Sequence, residues 1–143
     1  MVKFKKIKKL TVGLRQELET LQRACLPEDT PVFPENGVWW VGLDGSQAVA
    51  FCLIEPSCQW LDTAYLARSG VLKAWRGQGL QKKMIGIRER YAKKAGYRWM
   101  ISDTTDNPPS ANSLMSRGYR IFAPSAPWGM DCTLYWRKRL RED

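Results

Sequence analysis

The sequence predicts an α/β fold, a mixed and mostly antiparallel sheet flanked by helices. Three observations carry that prediction: apolar residues that switch between alternate and helical spacing, a hairpin signal at Asp44 and Gly45, and a glycine turn between a strand and a long amphipathic helix. At 143 residues the chain is the size of one ordinary domain, and neither a repeat nor a linker breaks it, so residues 1–143 are expected to form a single domain.

The elements follow in order. Val2, Phe4 and Ile7 alternate as an edge strand does, and Thr11 caps a helix on which Leu14, Leu18, Leu21 and Cys25 share a face until Pro27 closes it. Residues 26–37 are a breaker-rich loop carrying Glu28, Asp29 and Glu35, the kind of loop that lines sites. Stretches 38–43 and 48–55 pair across Asp44 and Gly45. Residues 62–71 form a third strand, where Gly70 marks a bulge or a close backbone approach.

A helix over 78–94 presents Leu80, Met84, Ile87, Tyr91 and Ala95, flanked by Ile85 and Ala92, and ends at Gly96. Residues 97–102 are a short strand, and 103–107 leave the sheet. Asn107 caps a further helix with Pro108 at its first position, and Gly118 stops it. Strands at 119–122 and 132–138 complete the series.

Composition narrows the chemistry. A net charge of +9 favours a polyanionic partner or a solvated basic surface, with basic clusters at residues 3–9 and 137–141. The chain has no histidine, which excludes a histidine-dependent nucleophilic triad, and Cys25, Cys52, Cys58 and Cys132 lack close-paired metal spacing, which disfavours zinc. The thiols are expected to be reduced and mostly packed. No apolar stretch approaches the ~20 residues that span a bilayer, and no long apolar segment follows the basic start. The expectation is a soluble cytoplasmic protein, monomer or homodimer, with no membrane partner.

Ser69, Gly70 and Val71 end an apolar strand that breaks into a turn at Arg76, Gly77, Gln78 and Gly79 before Leu80, Gln81 and Lys82 open a helix. A helix start leaves amide hydrogens unpaired and partially positive, and glycines let an anion approach them. Glycines also serve ordinary strand-to-helix turns. A third glycine is missing for a dinucleotide fingerprint, as is the Gly-Lys-Ser/Thr ending of a nucleotide P-loop.

In element order and in two motifs, nearly the whole chain resembles the GNAT superfamily of acyl-CoA-dependent N-acyltransferases. One motif is the valine-ended strand with Arg76, Gly77, Gly79 and Leu80. The other is Asn107 and Ser110 followed by Gly118 and Tyr119. The resemblance implies strands splayed at the acyl-CoA site, with Ser69, Gly70 and Val71 pairing with the pantetheine. It also implies a pyrophosphate on the amides of residues 77–82, and contacts from Arg76, Asn107 and Ser110. Acetyl-CoA is then the co-substrate, no metal is needed, and an amine attacks the thioester directly in a ternary complex. The acceptor is a primary amine of a small molecule, a protein or an aminoacylated RNA.

The sequence departs from the family pattern at Ala74 and Gln81, which removes no backbone donor. It also has Leu114 where many members carry a tyrosine that protonates the CoA thiolate. Water, Ser110, Ser113, Tyr65 or Tyr119 are the remaining proton sources. Some relatives carry a base at the place of Ser102. Asp103 lies one residue beyond, which strand alternation turns to the opposite face unless the strand has ended there, and Asp62, Glu28 and Asp29 are its rivals. Residues 26–37 and the loop 123–129 with Trp128 are expected to shape the acceptor pocket. Two other readings stand beside this one: a nucleic-acid-binding protein using Trp39, Trp40, Trp75, Trp99 and the terminal cations, and an acyl-CoA sensor without turnover.

Overall fold

The computed structural model describes residues 1–141. The elements in chain order are β1 (Val2–Lys6), α1 (Val12–Cys25), β2 (Val38–Asp44), β3 (Gln47–Pro56), β4 (Thr63–Val71), a 3-10 turn (Lys73–Trp75), α2 (Leu80–Ala95), β5 (Trp99–Thr105), α3 (Pro108–Ser116), β6 (Arg120–Phe122) and β7 (Thr133–Arg139). The strands form one seven-stranded mixed sheet in the order β1-β2-β3-β4-β5-β7-β6. Its β4–β5 pair is parallel, while β1–β2, β2–β3, β5–β7 and β6–β7 are antiparallel. Two compact units share β4. The first comprises residues 1–55 and 67–80, and the second residues 56–66 and 81 onward.

In the first unit the Thr11 hydroxyl accepts from the Leu14 amide at 3.2 Å, which starts α1 as its sequence implies. Leu18, Leu21 and Cys25 then bury against Trp39, Phe51 and Leu53. Gln22, a buried polar residue without a counterpart in the apolar pattern, reaches the loop beyond the helix. Its side chain donates to the Val32 carbonyl and accepts from the Val32 amide, both at 3.0 Å. The loop 26–37 is therefore pinned at its centre. Gly70 is a site of close approach, because a Cβ there would lie 2.6 Å from the Cys25 Cβ and 2.7 Å from a Phe51 ring carbon. Burial, partly offset by the Arg76 charge, pushes the Cys25 thiol up to about 11, so it packs as an apolar group.

Three expectations need correction. The strand 97–102 runs on as β5 to Thr105, because its ladder with β7 continues through Ser102↔Trp136 and Asp103↔Tyr135 to Thr105↔Thr133. Asp106, at φ +48, ends it. Helix α2 begins at Leu80 rather than at residue 78, since Gly79 holds φ +77. The buried side of α2 is also rotated from the apolar face: Arg88 and Glu89 are inside with Met84, Ile85 and Ala92, while Ile87 and Tyr91 are half-buried and Ala95 is exposed.

Partners on other elements account for the inward place of Glu89. Glu89 accepts from Arg117 at 2.5 Å and from Lys138 at 2.9 Å. Burial alone would raise its carboxyl, but these two cations hold it below the ordinary carboxylate value. The Tyr119 hydroxyl, buried beside the Glu89 charge, is driven upward. Of the thiols, Cys25 and Cys52 are packed, but Cys58 and Cys132 are exposed, and among the described residues none of the four forms a disulfide.

Candidate functional site

The turn after β4 is built by the first unit. The Leu72 amide donates to the Val49 carbonyl at 2.8 Å, the 3-10 turn follows, and the Trp75 indole donates to Asp44 Oδ2 at 2.8 Å. Arg76 donates from Nε to the Val71 carbonyl at 3.0 Å and from Nη2 to the Cys25 carbonyl at 3.4 Å. Its guanidinium thus ties the strand end to the end of α1, a structural job that the expectation of Arg76 as a cofactor contact did not contain.

Gly77 and Gly79 hold φ +82 and +77, and a Cβ built on either meets nothing within 4 Å. These glycines answer a backbone requirement rather than crowding, and the space before them is open. The first turn of α2 contains no acidic side chain, and Lys82 is exposed there. A helix start of this kind suits an anion. A substitution tests it. Gly79→Val, forced to a left-handed φ, is expected to cost about 1–2 kcal/mol of stability. It should also weaken acetyl-CoA binding by about tenfold or more by crowding the amides, as read by denaturation and calorimetry. Unchanged affinity would remove the turn from the site.

In the second unit β4 and β5 pair only at Thr63↔Trp99, Ala64↔Met100 and Tyr65↔Ile101, although both strands continue. Just beyond the last pair, the Ser102 hydroxyl donates to the Leu66 carbonyl at 3.4 Å. On β5, Asp103 Oδ2 accepts from the Tyr65 hydroxyl at 2.6 Å and from the Trp128 indole at 2.7 Å. Trp128 is held in turn by an edge contact to Tyr135, 4.5 Å between ring centres, and by Trp60 at 5.8 Å. The carboxylate is half-buried, and among the described residues its bonds hold one oxygen, Oδ2, which suits a group that exchanges a proton through the other.

The four catalytic candidates therefore separate. Asp103 and Tyr65 are joined. Asp62 is an exposed turn residue at φ +56, whose carbonyl takes the Arg98 and Trp99 amides. Along β5, Trp99 lies about 13 Å from Asp103, four residues at about 3.3 Å each. Glu28, with Asp29, is an exposed side chain of the loop after α1.

Among the cofactor candidates, Ser69 is half-buried, Gly70 and Val71 are buried, and Gln78 is exposed at the turn. Asn107 caps α3 by accepting from the Ser110 amide at 3.2 Å. Ser113 is engaged with the Pro109 carbonyl, and Leu114 is buried in the core. The bond from Trp128 to Asp103 was missed by sequence reasoning. Trp128 stands in a proline-rich loop with no periodicity to aim it, and only its aromatic character signalled a role.

Aromatic burial counts against the nucleic-acid reading. Trp39 and Trp40 are core residues, Trp75 is tied to Asp44, and Trp99 is covered by Arg137 and Arg139 at 5.5 and 5.6 Å. No helix among the described residues is long and apolar enough to cross a membrane, and no cluster among them could hold a metal ion.

Comparison with known proteins converges on one family. No curated protein sequence matches the chain. Among solved structures, the ribosomal-protein-S18-alanine N-acetyltransferase of Escherichia coli superposes with TM-score 0.79 at 12% identity, covering 100% of this chain and 96% of that one. A Bacillus subtilis acetyltransferase solved with CoA gives 0.76 at 14%, covering 97% and 99%. A GNAT-family acetyltransferase of Staphylococcus aureus gives 0.70 at 15%, covering 97% and 100%. At such identities these structures speak to the fold. The model of the acetyltransferase (GNAT) family matches residues 10–119, and the chain belongs to that family.

Proposed function

We propose that the protein transfers an acetyl group from acetyl-CoA to a primary amine by direct attack within a ternary complex. The observation that carries the reading furthest is the turn at Gly77 and Gly79, left-handed at both glycines, open in front and continuous with an α2 start free of acidic side chains. Amides of residues 77–82 take the pyrophosphate, and the end of β4 at Ser69, Gly70 and Val71 pairs with the pantetheine arm. Asn107 and Ser110 are the further cofactor contacts. Arg76 contributes by fixing the Val71 carbonyl, whatever it adds at a phosphate.

Asp103 is the base in this reading. The amine nitrogen bonds to the thioester carbonyl carbon, the carbon–sulfur bond breaks with its electron pair leaving on sulfur, and the amine proton passes to Asp103 directly or through a water. Tyr65 and Trp128 hold the carboxylate in one orientation. A backbone amide near Val71 polarises the carbonyl as negative charge develops. Leu114 offers no proton, so the thiolate leaves as such or is protonated by water or by a hydroxyl such as Ser110. A CoA thiol is acidic enough for that near neutral pH.

Acceptors to be tried are small-molecule amines, protein N-termini and aminoacylated RNA, and the basic surface favours an acidic or nucleic-acid-bearing one. The Escherichia coli structure named above acts on a protein alanine, which makes a peptide N-terminus a natural arm of the screen. The reading takes residues 1–143 as one domain working in the cytoplasm, as monomer or homodimer.

Calorimetric titration with acetyl-CoA, with desulfo-CoA and ATP as controls at two salt concentrations, tests the cofactor step. Saturable binding of acetyl-CoA but not ATP is expected, followed by CoA release with some amines of the panel. Absence of binding at both salts would end the proposal. Binding with no turnover across all three acceptor classes would leave the acyl-CoA sensor in its place.

A further inference from the structure

The first unit contains a groove of about 1040 Å³ that the proposed acetyl transfer does not use. Its floor comes from the hairpin: Val41 and Leu43 alternate onto the α1 side of the sheet, and Leu43 stands opposite Ala48. Leu14, Leu21 and Ala24 of α1 form the opposite wall. All of these except Leu21 retain some exposure, so the apolar surface is only partly covered by the chain itself.

The rim is cationic. Lys5 pairs with Val41 across the β1–β2 ladder, which sets its stem beside the floor, and Lys6 follows it. Lys8 and Lys9 stand in the connection to α1 and close the same end. Among the described residues Glu17 is the one acidic side chain along the lining, and the lysines are exposed. An apolar trough with cations gathered at its β1 end has the polarity of an amphiphile with a negative head.

We infer that this groove binds a small amphipathic anion, a straight-chain carboxylate whose head meets the lysines and whose chain lies along Leu14, Val41, Leu43 and Ala48. Hydrated inorganic anions gain nothing from the apolar floor. Nucleic acid is disfavoured because no aromatic side chain among the described residues lines the groove to stack a base. The volume is at the upper end of small-ligand sites, which run to roughly 1,000 Å³, and long lysine stems can lie along such a chain while their heads stay wet.

Titration of the intact protein with decanoate below its micellar range tests the inference, with neutral decanol and short butyrate as the comparison probes. One decanoate per chain is expected, with decanol weaker and butyrate not measurable. The double variant Lys5→Glu/Lys8→Glu should weaken decanoate by about tenfold or more through loss of charge-assisted contacts. Thr20→Trp, an exposed helix position that lines the groove, should block it by filling, with circular dichroism unchanged. Excess CoA should not displace the ligand. No saturable binding, binding indifferent to both variants, or displacement by CoA would each overturn the inference.

Discussion

Asp103→Asn is expected to lower kcat by about 10²–10³, within the range that general-base removal produces, while acetyl-CoA binds as before. The amide oxygen of asparagine can still accept from Tyr65 and Trp128, which now bond Oδ2 at 2.6 and 2.7 Å, so the site keeps its shape and loses only the proton acceptor. Steady-state CoA release measured beside calorimetric affinity separates the two effects. A variant with wild-type turnover would return the base to water or to one of the rivals in the loop after α1. Trp128→Phe is the companion experiment. It keeps the ring against Tyr135 and removes the indole donor, so a smaller fall in kcat would assign Trp128 to orientation of the carboxylate.

Glu89→Gln should destabilise the protein by about 2–3 kcal/mol, somewhat below the ~3–5 kcal/mol that breaking a fully buried charge pair costs, because its partners are partly solvated. The Glu89 side chain is 7% exposed, against 32% for Arg117 and 29% for Lys138. The amide keeps volume and one acceptor but leaves two cations facing a neutral group. Chemical denaturation with an unchanged slope would report it, and a loss under about 0.5 kcal/mol, the size of an ordinary surface change, would show that the cluster is idle.

The pH dependence has a definite sign. The folded carboxyl is held below its ordinary value of 4.5, so the unfolded chain binds the proton more readily. Its stabilisation is complete above that ordinary value and disappears as pH falls through the lowered folded value. The stability gap between wild type and Glu89→Gln is therefore expected to close in acid.

Features set by local backbone chemistry were legible in the sequence. Thr11 and Asn107 are caps, Gly45 turns the hairpin, and Gly77 and Gly79 take the positive φ that their turn demands. Features set by distant partners were not. A periodicity that counts charges as solvated places Arg88 and Glu89 outside, yet Arg117 and Lys138, remote in sequence, draw Glu89 inward. The sequence pattern ended this strand at residue 102, and only the facing strand β7 shows that Asp103 stays in the sheet, on the face opposite Ser102. The candidate site divides the same way: its turn was readable, whereas the junction of Asp103 with Tyr65 and Trp128 depends on three segments that only folding brings together.

The strand order carries a consequence for biosynthesis. Because β7 lies between β5 and β6, β6 has no ladder of its own until the later strand is made, and one side of β5 stays open for the same interval. Unpaired strand edges of that kind invite pairing with other chains. Residues 133–139 thus act as a keystone for the second unit. A ribosome that stops before them releases a polypeptide with most of its core sequence, two unmatched edges and a strong tendency to aggregate.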